Sequence, residues 1–266
     1  MKLVILRGGL LPAGRRAASR DPAPTGRHGV AALSDDAEGW ALINVAPNVA
    51  EQLQTDPALR CHSGLMDADT RSIILTDAQI DHVTGLLSLR DGAPIDLYAT
   101  PAVFEVLSQQ MPVLQVLQRY CGVHWHVIPV AGETLSASFR VEALPTLEFT
   151  ALSTESQAAP CTLEPGTPTS TGLSVAIAVR DVMSDQRLFV SQGAQVLGGT
   201  ELDWLRRADC VMLDDHTHWL NEEAQPSVPA WRAQRKVMLR GQRPEELHRA
   251  STDGFEVAYD GMVIDL

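Results

Sequence analysis

The residues best suited to chemistry lie in one short loop, Asp77-Ala78-Gln79-Ile80-Asp81-His82, which follows an apolar run. Carboxylate, amide and imidazole groups are the donors that hard and borderline metal ions take, and a loop between a strand and a helix can aim several of them at one point. In an extended backbone Asp77, Gln79 and Asp81 share one face, so His82 points elsewhere and could serve a second metal position. The spacing equally allows a structural interpretation, in which Asp81 merely caps the helix that follows.

A second set of donors follows the apolar run Cys210 to Leu213, where Asp214, His216 and His218 occupy alternate positions. If the chain stays extended, a period of two projects all three side chains from the same face. One carboxylate and two imidazoles are the donors of a mononuclear non-haem iron site, and they can also hold zinc. The pattern favours a functional site for Asp214, whereas His218 fits a solvated polar loop.

A third pair of imidazoles, His124 and His126, alternates with Trp125 and Val127. That alternation is typical of a half-buried strand with one polar face. We therefore interpret this pair as structural rather than metal-binding.

The two donor loops need elements that hold them in place, and the order of the elements indicates which fold does so. Strand, loop, helix, strand and helix follow one another between Ser72 and Gln109, which is the α/β signature. From His124 onward several strands come in succession, and a second α/β stretch begins near Glu201. The sequence therefore predicts an α/β (α+β) protein, an αββα sandwich of two mixed sheets covered by helices. We expect residues 1–266 to form a single domain.

Apolar spacing and turn residues also predict individual elements. Asn48 is a predicted helix N-cap, and Pro101 occupies a predicted first helical position. Helices are expected at Val49 to Gln54, Val83 to Arg90, Ala102 to Gln109, Glu201 to Arg207 and Pro244 to Arg249. Predicted strands include Leu3 to Arg7, Gly29 to Ser34, Trp40 to Val45, Phe139 to Leu144, Leu147 to Leu152, Leu173 to Val179, Arg187 to Val190, Cys210 to Leu213 and Lys236 to Leu239.

Composition and charge exclude several classes of function. The chain has 266 residues, 45% of them hydrophobic, and a formal net charge of −12. An acidic surface repels phosphate backbones and anionic lipid, so we expect neither nucleic acid nor membrane as a partner. The four cysteines are far apart, which disfavours a thiolate zinc site, and the apolar run at the N-terminus is too short for a signal peptide. We expect a cytoplasmic protein.

Several motifs together resemble the coenzyme PQQ (pyrroloquinoline quinone) biosynthesis protein B family. The most specific is the segment Ile74 to Arg90, which contains the Asp77–His82 loop. The resemblance runs from Met1 to Leu266 with gaps, and the motifs keep the family's order. The further matching segments are Trp40 to Pro47, Tyr120 to His126 and Glu256 to Met262.

This resemblance implies the metallo-β-lactamase fold and an iron-dependent, oxygen-using hydroxylation of a tyrosine in a precursor peptide. Asp77 and Gln79 stand where the superfamily has two histidines, while Asp81 and His82 are retained. The implied catalytic residues are Asp77, Asp81 and His82, with Asp77 as a ligand or base. Iron, or zinc, would be held by Asp81, His82 and Asp214, and His216 could complete the set. An older proposal for the family is help in moving the cofactor or a precursor to the periplasm.

The chain also departs from the family pattern, and this leaves a second hypothesis open. The family's N-terminal cysteine cluster and a Gly-His motif after Trp219 are missing, and Arg240 replaces a metal-binding histidine. The alternative is therefore a metal-free paralogue that binds or carries PQQ or its precursor, with Arg240 and Arg243 facing the carboxylates of the quinone. A hydrolase is disfavoured because both leading histidines are absent. The expected partner is a small peptide-derived precursor or PQQ, and a homodimer remains open.

Overall fold

The apolar runs of the sequence form two seven-stranded sheets in a computed structural model of the chain. The structure describes residues 1–7, 30–35, 38–57, 59, 62, 64–65, 72–156, 170–192, 194–196, 199–214, 232–239 and 254–266. The strands of the first sheet, in chain order, are β1 (Lys2–Arg7), β2 (Val30–Ser34), β3 (Ala41–Ile43), β4 (Ser72–Ile74), β5 (Ile95–Ala99), β6 (Val123–Val127) and β16 (Val263–Asp265).

The second sheet takes its strands from the later part of the chain. They are β7 (Ser136–Phe139), β8 (Leu147–Ser153), β10 (Val175–Asp181), β11 (Arg187–Ser191), β13 (Cys210–Asp214), β14 (Arg235–Leu239) and β15 (Glu256–Val257). A separate two-stranded sheet pairs β9 (Glu155–Ser156) with β12 (Ala194–Val196).

Both large sheets are mixed. In the first sheet, β3, β4, β5 and β6 run parallel to one another. The pairs β16–β1, β1–β2 and β2–β3 are antiparallel. In the second, β11, β13, β14 and β15 run parallel, while the pairs β11–β10, β10–β8 and β8–β7 are antiparallel. The prediction of two mixed sheets is therefore confirmed.

Helices cover the sheets on their outer faces. The bounds are α1 (Val49–Thr55), α2 (Ile80–Val83), a 3-10 helix (Thr84–Leu89), α3 (Pro101–Glu105), a π-helical turn (Val106–Gln110), α4 (Val113–Leu117) and α5 (Gly199–Arg207). Asn48 precedes α1 as predicted, and the Thr100 hydroxyl caps α3 by accepting from Val103 N, with Pro101 at the first helical position. Within the described residues no helix has the length and hydropathy of a membrane span.

Alternating side chains build a core on each face of the first sheet. Leu3 and Ile5 point into the core between the two sheets, where they join Phe149 and Ile177 of the second sheet. Val4 and Leu6 point the other way, into a second core under α1 to α4. A third core lies under α5, around Leu205, Phe189 and Val211. Helix, sheet, sheet and helix thus form four layers, which confirms the predicted αββα sandwich; the single domain stays a prediction.

Three predicted elements differ from the structure or lie outside it. The strand predicted at Phe139 to Leu144 is wrong: β7 ends at Phe139, and a turn closed by Leu144 N and Val141 O follows. The helix predicted at Val83 to Arg90 is α-helical only over α2 and then tightens to a 3-10 helix, because Gly85 packs directly on the backbone of the turn that follows β3. The helix predicted at Pro244 to Arg249 lies outside the described residues.

Gly85, in the 3-10 helix that follows α2, packs directly on the backbone after β3, and we expect Gly85→Ala to destabilise the fold. Its N–H donates to Val45 O at 3.1 Å, and a Cβ here would lie 2.0 Å from Ala46 O. Overpacking of this kind lowers the free energy of unfolding by about 1–3 kcal/mol or more. Urea denaturation measures the loss.

Gly199 provides the matched control for that substitution. It lies in α5, and among the described residues no atom outside its own helix turn and chain neighbours is within 4 Å of the point where an alanine methyl group would lie. Gly199→Ala should therefore leave the free energy of unfolding unchanged to within about 1 kcal/mol. Equal midpoints for the two alanine variants would contradict the packing argument at Gly85.

Candidate functional site

The Asp77–His82 loop leaves the first sheet at the carboxyl end of β4 and enters α2. Parallel strands place ligand sites at this end of a sheet, because the loops from neighbouring strands converge there. Thr76, Asp77 and His82 are buried, and Asp81 lies in the first turn of α2. The N-cap position belongs to Gln79, whose side chain makes no capping bond, so Asp81 is not the cap that the structural interpretation required.

Asp77 and His82 form a buried pair. His82 Nδ1 lies 2.8 Å from Asp77 Oδ1 and 2.9 Å from Oδ2. Gln79 N donates to Asp77 Oδ1 at 2.8 Å, and the Thr76 hydroxyl donates to Oδ2 at 3.0 Å. Both carboxylate oxygens therefore already accept hydrogen bonds from the protein, and Asp77 holds the imidazole in place. Its predicted role as a ligand or base stays a prediction.

The pair decides which nitrogen of His82 carries the proton. A carboxylate only accepts, so Nδ1 must donate, and the neutral ring then has its lone pair on Nε2. Metal-binding histidines are oriented in this way, with the second ring nitrogen donating to a carboxylate. The arrangement leaves Nε2 of His82 to bind a metal ion or to accept a proton.

Charges from both sheets act on His82. Burial disfavours the charged ring and lowers its pKa, but the carboxylates of Asp77, Asp214 and Asp81 outweigh burial, so the pKa of His82 is raised above its usual value. Asp214 ends β13 of the second sheet, whereas Asp77 and Asp81 follow β4 of the first. Three of the predicted acidic residues therefore lie near enough to act electrostatically on one imidazole, and Asp77 contacts it directly.

Sequence reasoning missed three polar residues beneath this pair. Asn44 follows β3 with a positive φ of 61°, and its side chain is fully buried. It bonds both Thr76 and Gln192, the latter from the end of β11. The one available signal was Asn44 itself, since asparagine tolerates the left-handed region and is a turn residue at the end of a buried strand.

The other predicted site residues are not part of this cluster. His216, Arg240 and Arg243 lie outside the described residues, and so does His218. His124 and His126 lie on β6, where they contact Asp96 Oδ1 at 3.3 and 3.0 Å. Asp96 is near the amino end of β5, the opposite end from the Asp77 loop, so these histidines belong to the surface of the strand as interpreted from the sequence.

The donor set around His82 suits a metal ion in its chemistry but is not complete in the part of the chain that the structure describes. An imidazole with the proton on Nδ1 and the carboxylates of Asp81 and Asp214 are ligands that iron or zinc accepts. Over the described ranges, however, no three His, Cys, Asp or Glu side chains converge closely enough to hold a metal. Closing such a site would need a donor from outside these ranges.

Comparison with known proteins decides the family. Residues 39–239 match the beta-lactamase superfamily domain. The chain is 32% identical over 269 residues to coenzyme PQQ synthesis protein B of Klebsiella pneumoniae, which covers 88% of this chain and 84% of that protein. The chain belongs to the coenzyme PQQ synthesis protein B family. It is also 37% identical over 193 residues to the Pseudomonas aeruginosa PAO1 protein of that name, covering 72% of this chain and 62% of the relative.

Solved structures agree on the fold of this PQQ synthesis protein B family member. The Zn²⁺-bound PqqB from Methylobacterium extorquens superposes with a TM-score of 0.69 at 22% identity, covering 100% of both chains. A diphosphatase of the PhnP family gives 0.64 at 16% identity, covering 99% of this chain and 97% of that one. The human short-form tRNase Z gives 0.61 at 16% identity, covering 100% and 99%. All three similarities show the metallo-β-lactamase fold.

Proposed function

We propose that this chain takes part in the biosynthesis of pyrroloquinoline quinone and that its working site is the cluster around His82. Membership of the PQQ synthesis protein B family supports the pathway. The observation that carries the site is the buried Asp77–His82 pair, which presents Nε2 of an oriented imidazole at the carboxyl ends of the strands. An imidazole held in this way has its Nε2 lone pair available to a metal ion or a proton.

The proposed cofactor is a metal ion, and the proposed reaction is the oxygen-dependent hydroxylation of a tyrosine in a peptide-derived precursor. His82, Asp81 and Asp214 would hold iron, with His216 as the donor from outside the described residues. Iron in such a nitrogen and carboxylate site, when bound, supplies the activation of molecular oxygen. Asp77 keeps the proton at Nδ1, which fixes the ring plane and raises the basicity of Nε2. Zinc, named in the Methylobacterium relative, is the alternative metal.

A metal-free carrier is the second candidate function, because Arg240 replaces a histidine of the family pattern. Arginine cannot ligate a cation, but its guanidinium pairs well with carboxylates such as those of PQQ. In that case Arg240 and Arg243 would bind the quinone or its precursor. We further propose a cytoplasmic location for either function, and a homodimer remains open.

Complementation tests the proposed pathway directly. A bacterium that has lost its PQQ synthesis protein B is given this chain, and the PQQ released into the medium is measured by reconstitution of a PQQ-dependent dehydrogenase. We expect the wild-type chain to restore PQQ, and we expect His82→Ala to restore at most about 1% of that amount, since loss of a catalytic group costs at least about 100-fold.

His124→Ala is the matched control, because it removes an exposed imidazole at the opposite end of the first sheet. It should restore PQQ as well as the wild type does. Wild-type and His82→Ala chains that restore equal amounts would contradict the proposed site, and no PQQ from the folded wild-type chain would contradict the pathway.

A further inference from the structure

A continuous chain of buried hydrogen bonds joins the second sheet to the His82 ring. Asn44 Nδ2 donates to Gln192 Oε1 and to Thr76 Oγ1, both at 2.9 Å. Thr76 Oγ1 then donates to Asp77 Oδ2 at 3.0 Å, and Asp77 accepts from His82 Nδ1. Asn44 and Gln192 are 148 residues apart in the sequence, and the chain of bonds ends at His82 in the proposed site.

One backbone group fixes the direction of the two bonds from Asn44 Nδ2. Thr76 N–H can only donate, and it donates to Asn44 Oδ1 at 3.0 Å, so Asn44 Nδ2 must be the donor on the other side. Gln192 must therefore accept with Oε1. Thr76 Oγ1 accepts from Asn44 Nδ2, and its own hydrogen has two acceptors within reach, Asn44 Oδ1 at 3.2 Å and Asp77 Oδ2 at 3.0 Å. The nearer, charged carboxylate is the stronger acceptor, so the hydroxyl donates to Asp77. The Asp77 carboxylate accepts both this hydrogen bond and the one from His82 Nδ1–H, so the bonds of the chain strengthen one another.

Because the network is buried, losing one of its hydrogen bonds would lower the stability of the protein. Asn44 and Thr76 are 0% exposed and Gln192 is 1% exposed, so an amide that loses its partner there stays without water. Asn44 also keeps a positive φ of 61°, an uncommon conformation that its hydrogen bonds hold in place. Asparagine tolerates this conformation, and here it directs the Asn44 amide towards Thr76 and Gln192.

The same network also connects the two sheets near the proposed metal ligands, which are His82 and Asp81 in the first sheet's loop and Asp214 in the second sheet. Gln192 directly follows β11, and Ser191 at the end of that strand pairs in register with Leu213 of β13, one residue before Asp214. Asn44 directly follows β3, which lies beside β4 and its Asp77 loop. The Asn44–Gln192 bond therefore joins the end of β3, beside β4 and its Asp77 loop, to the end of β11, beside β13 and Asp214.

We propose that Asn44 and Gln192 are positioning residues that fix the tautomer and orientation of His82 through Thr76 and Asp77. They touch neither substrate nor cofactor, and they act by keeping the Asp77 carboxylate turned towards Nδ1. The importance of this for the reaction rests on the proposed function, but the position of the His82 proton can be measured in protein from which metal has been removed.

Nitrogen-15 NMR of the metal-free chain tests the proposal, because it reports which His82 nitrogen carries the proton and how fast that proton exchanges with water. In the wild type we expect the proton on Nδ1 and slow exchange. Gln192→Met keeps the volume but removes the acceptor, and Asn44→Gly keeps the backbone conformation but removes the side chain. Each should speed exchange of the Nδ1 proton about five- to tenfold, the effect of one lost buried hydrogen bond.

Two further variants separate positioning from simple stability. Gln192→Glu keeps an acceptor oxygen, and because burial favours the neutral carboxyl form it should return the exchange rate to within about twofold of wild type at mildly acidic pH. Thr100→Val removes another buried bond, from Thr100 Oγ1 to Gly172 O at 2.6 Å, and should lower Tm without changing the His82 signal. A His82 signal that is the same in all variants, or that changes equally in Thr100→Val, would overturn the proposal.

The outcome is independent of the complementation result. If the wild type shows the Nδ1 proton and the variants lose it, the positioning role stands even where no PQQ is formed. If the wild type forms PQQ while the variants keep a wild-type His82 signal, the function stands and the positioning role fails.

Discussion

Replacing His82 with alanine is expected to remove bound metal from the purified chain. His82 is the one imidazole at the site within the described residues, and Asp77 orients it so that Nε2 is its free nitrogen for a ligand. Loss of a protein ligand leaves too few donors for a stable site, so we expect metal to fall from about one equivalent per chain to below about one tenth. Asp81→Ala should have the same effect. Iron and zinc are measured by inductively coupled plasma mass spectrometry after gel filtration.

The control for metal loss is His126→Gln, which changes an imidazole that contacts Asp96 at 3.0 Å on β6. It should retain the metal content of the wild type. If the wild-type chain is free of metal but binds PQQ, the oxygenase proposal is wrong and the carrier proposal is supported. Full metal content in His82→Ala would show that the metal is held elsewhere.

Asp77→Ala is expected to damage both stability and metal affinity. It removes the acceptor of the buried Thr76 hydroxyl and His82 Nδ1 and of the part-buried Gln79 N. The Thr76 hydroxyl still has Asn44 Oδ1 within reach at 3.2 Å, so one buried and one part-buried donor are left without a partner. An unsatisfied buried donor costs about 1–3 kcal/mol and a part-buried one less, so we expect the free energy of unfolding to fall by about 2–4 kcal/mol. Loss of the partner of a ligating histidine weakens metal binding about 10- to 100-fold. Asp77→Asn keeps one acceptor oxygen and should be intermediate in both measurements.

Asp181 supplies the matched control for Asp77. It is also a buried carboxylate, it accepts from Met183 N at 2.8 Å and from the Ser184 hydroxyl at 2.9 Å, and it lies at the end of β10 rather than at the site. Asp181→Ala should lower the free energy of unfolding without changing zinc affinity, measured by calorimetry. Equal zinc affinity in Asp77→Ala and the wild type would show that Asp77 does not orient a ligand.

Much of the fold could be predicted because each strand carries its own signal. Apolar runs such as Ser72–Ile74 and Cys210–Asp214 are buried on both faces and stand out from their neighbours. The end of a strand is less certain, as β7 shows: Phe139 ends it, although the residues that follow are apolar enough to extend it. The turn there packs against Gly39, where an added Cβ would lie 2.3 Å from Ala143 O, and no local pattern contains this contact.

The site was predicted in part for the same reason. The loop from Asp77 to His82 is local, so its candidate donors stand out in the sequence, although their spacing equally allowed Asp81 to be a helix cap. The hydrogen bonds inside it could not, because the turn into α2 brings Asp77 and His82 together instead of placing alternate residues on one face. Asn44 and Gln192 are 148 residues apart, and only the packing of two sheets brings them into contact.

The most direct test of the central claim is a crystal structure of the chain grown with zinc, with anomalous scattering recorded on both sides of the zinc absorption edge. We predict a peak bonded to Nε2 of His82, between the carboxylates of Asp81 and Asp214, while Nδ1 stays on Asp77. A peak bonded to Nδ1, or a zinc ion that is bound only on the surface by His124 and His126, would contradict that prediction.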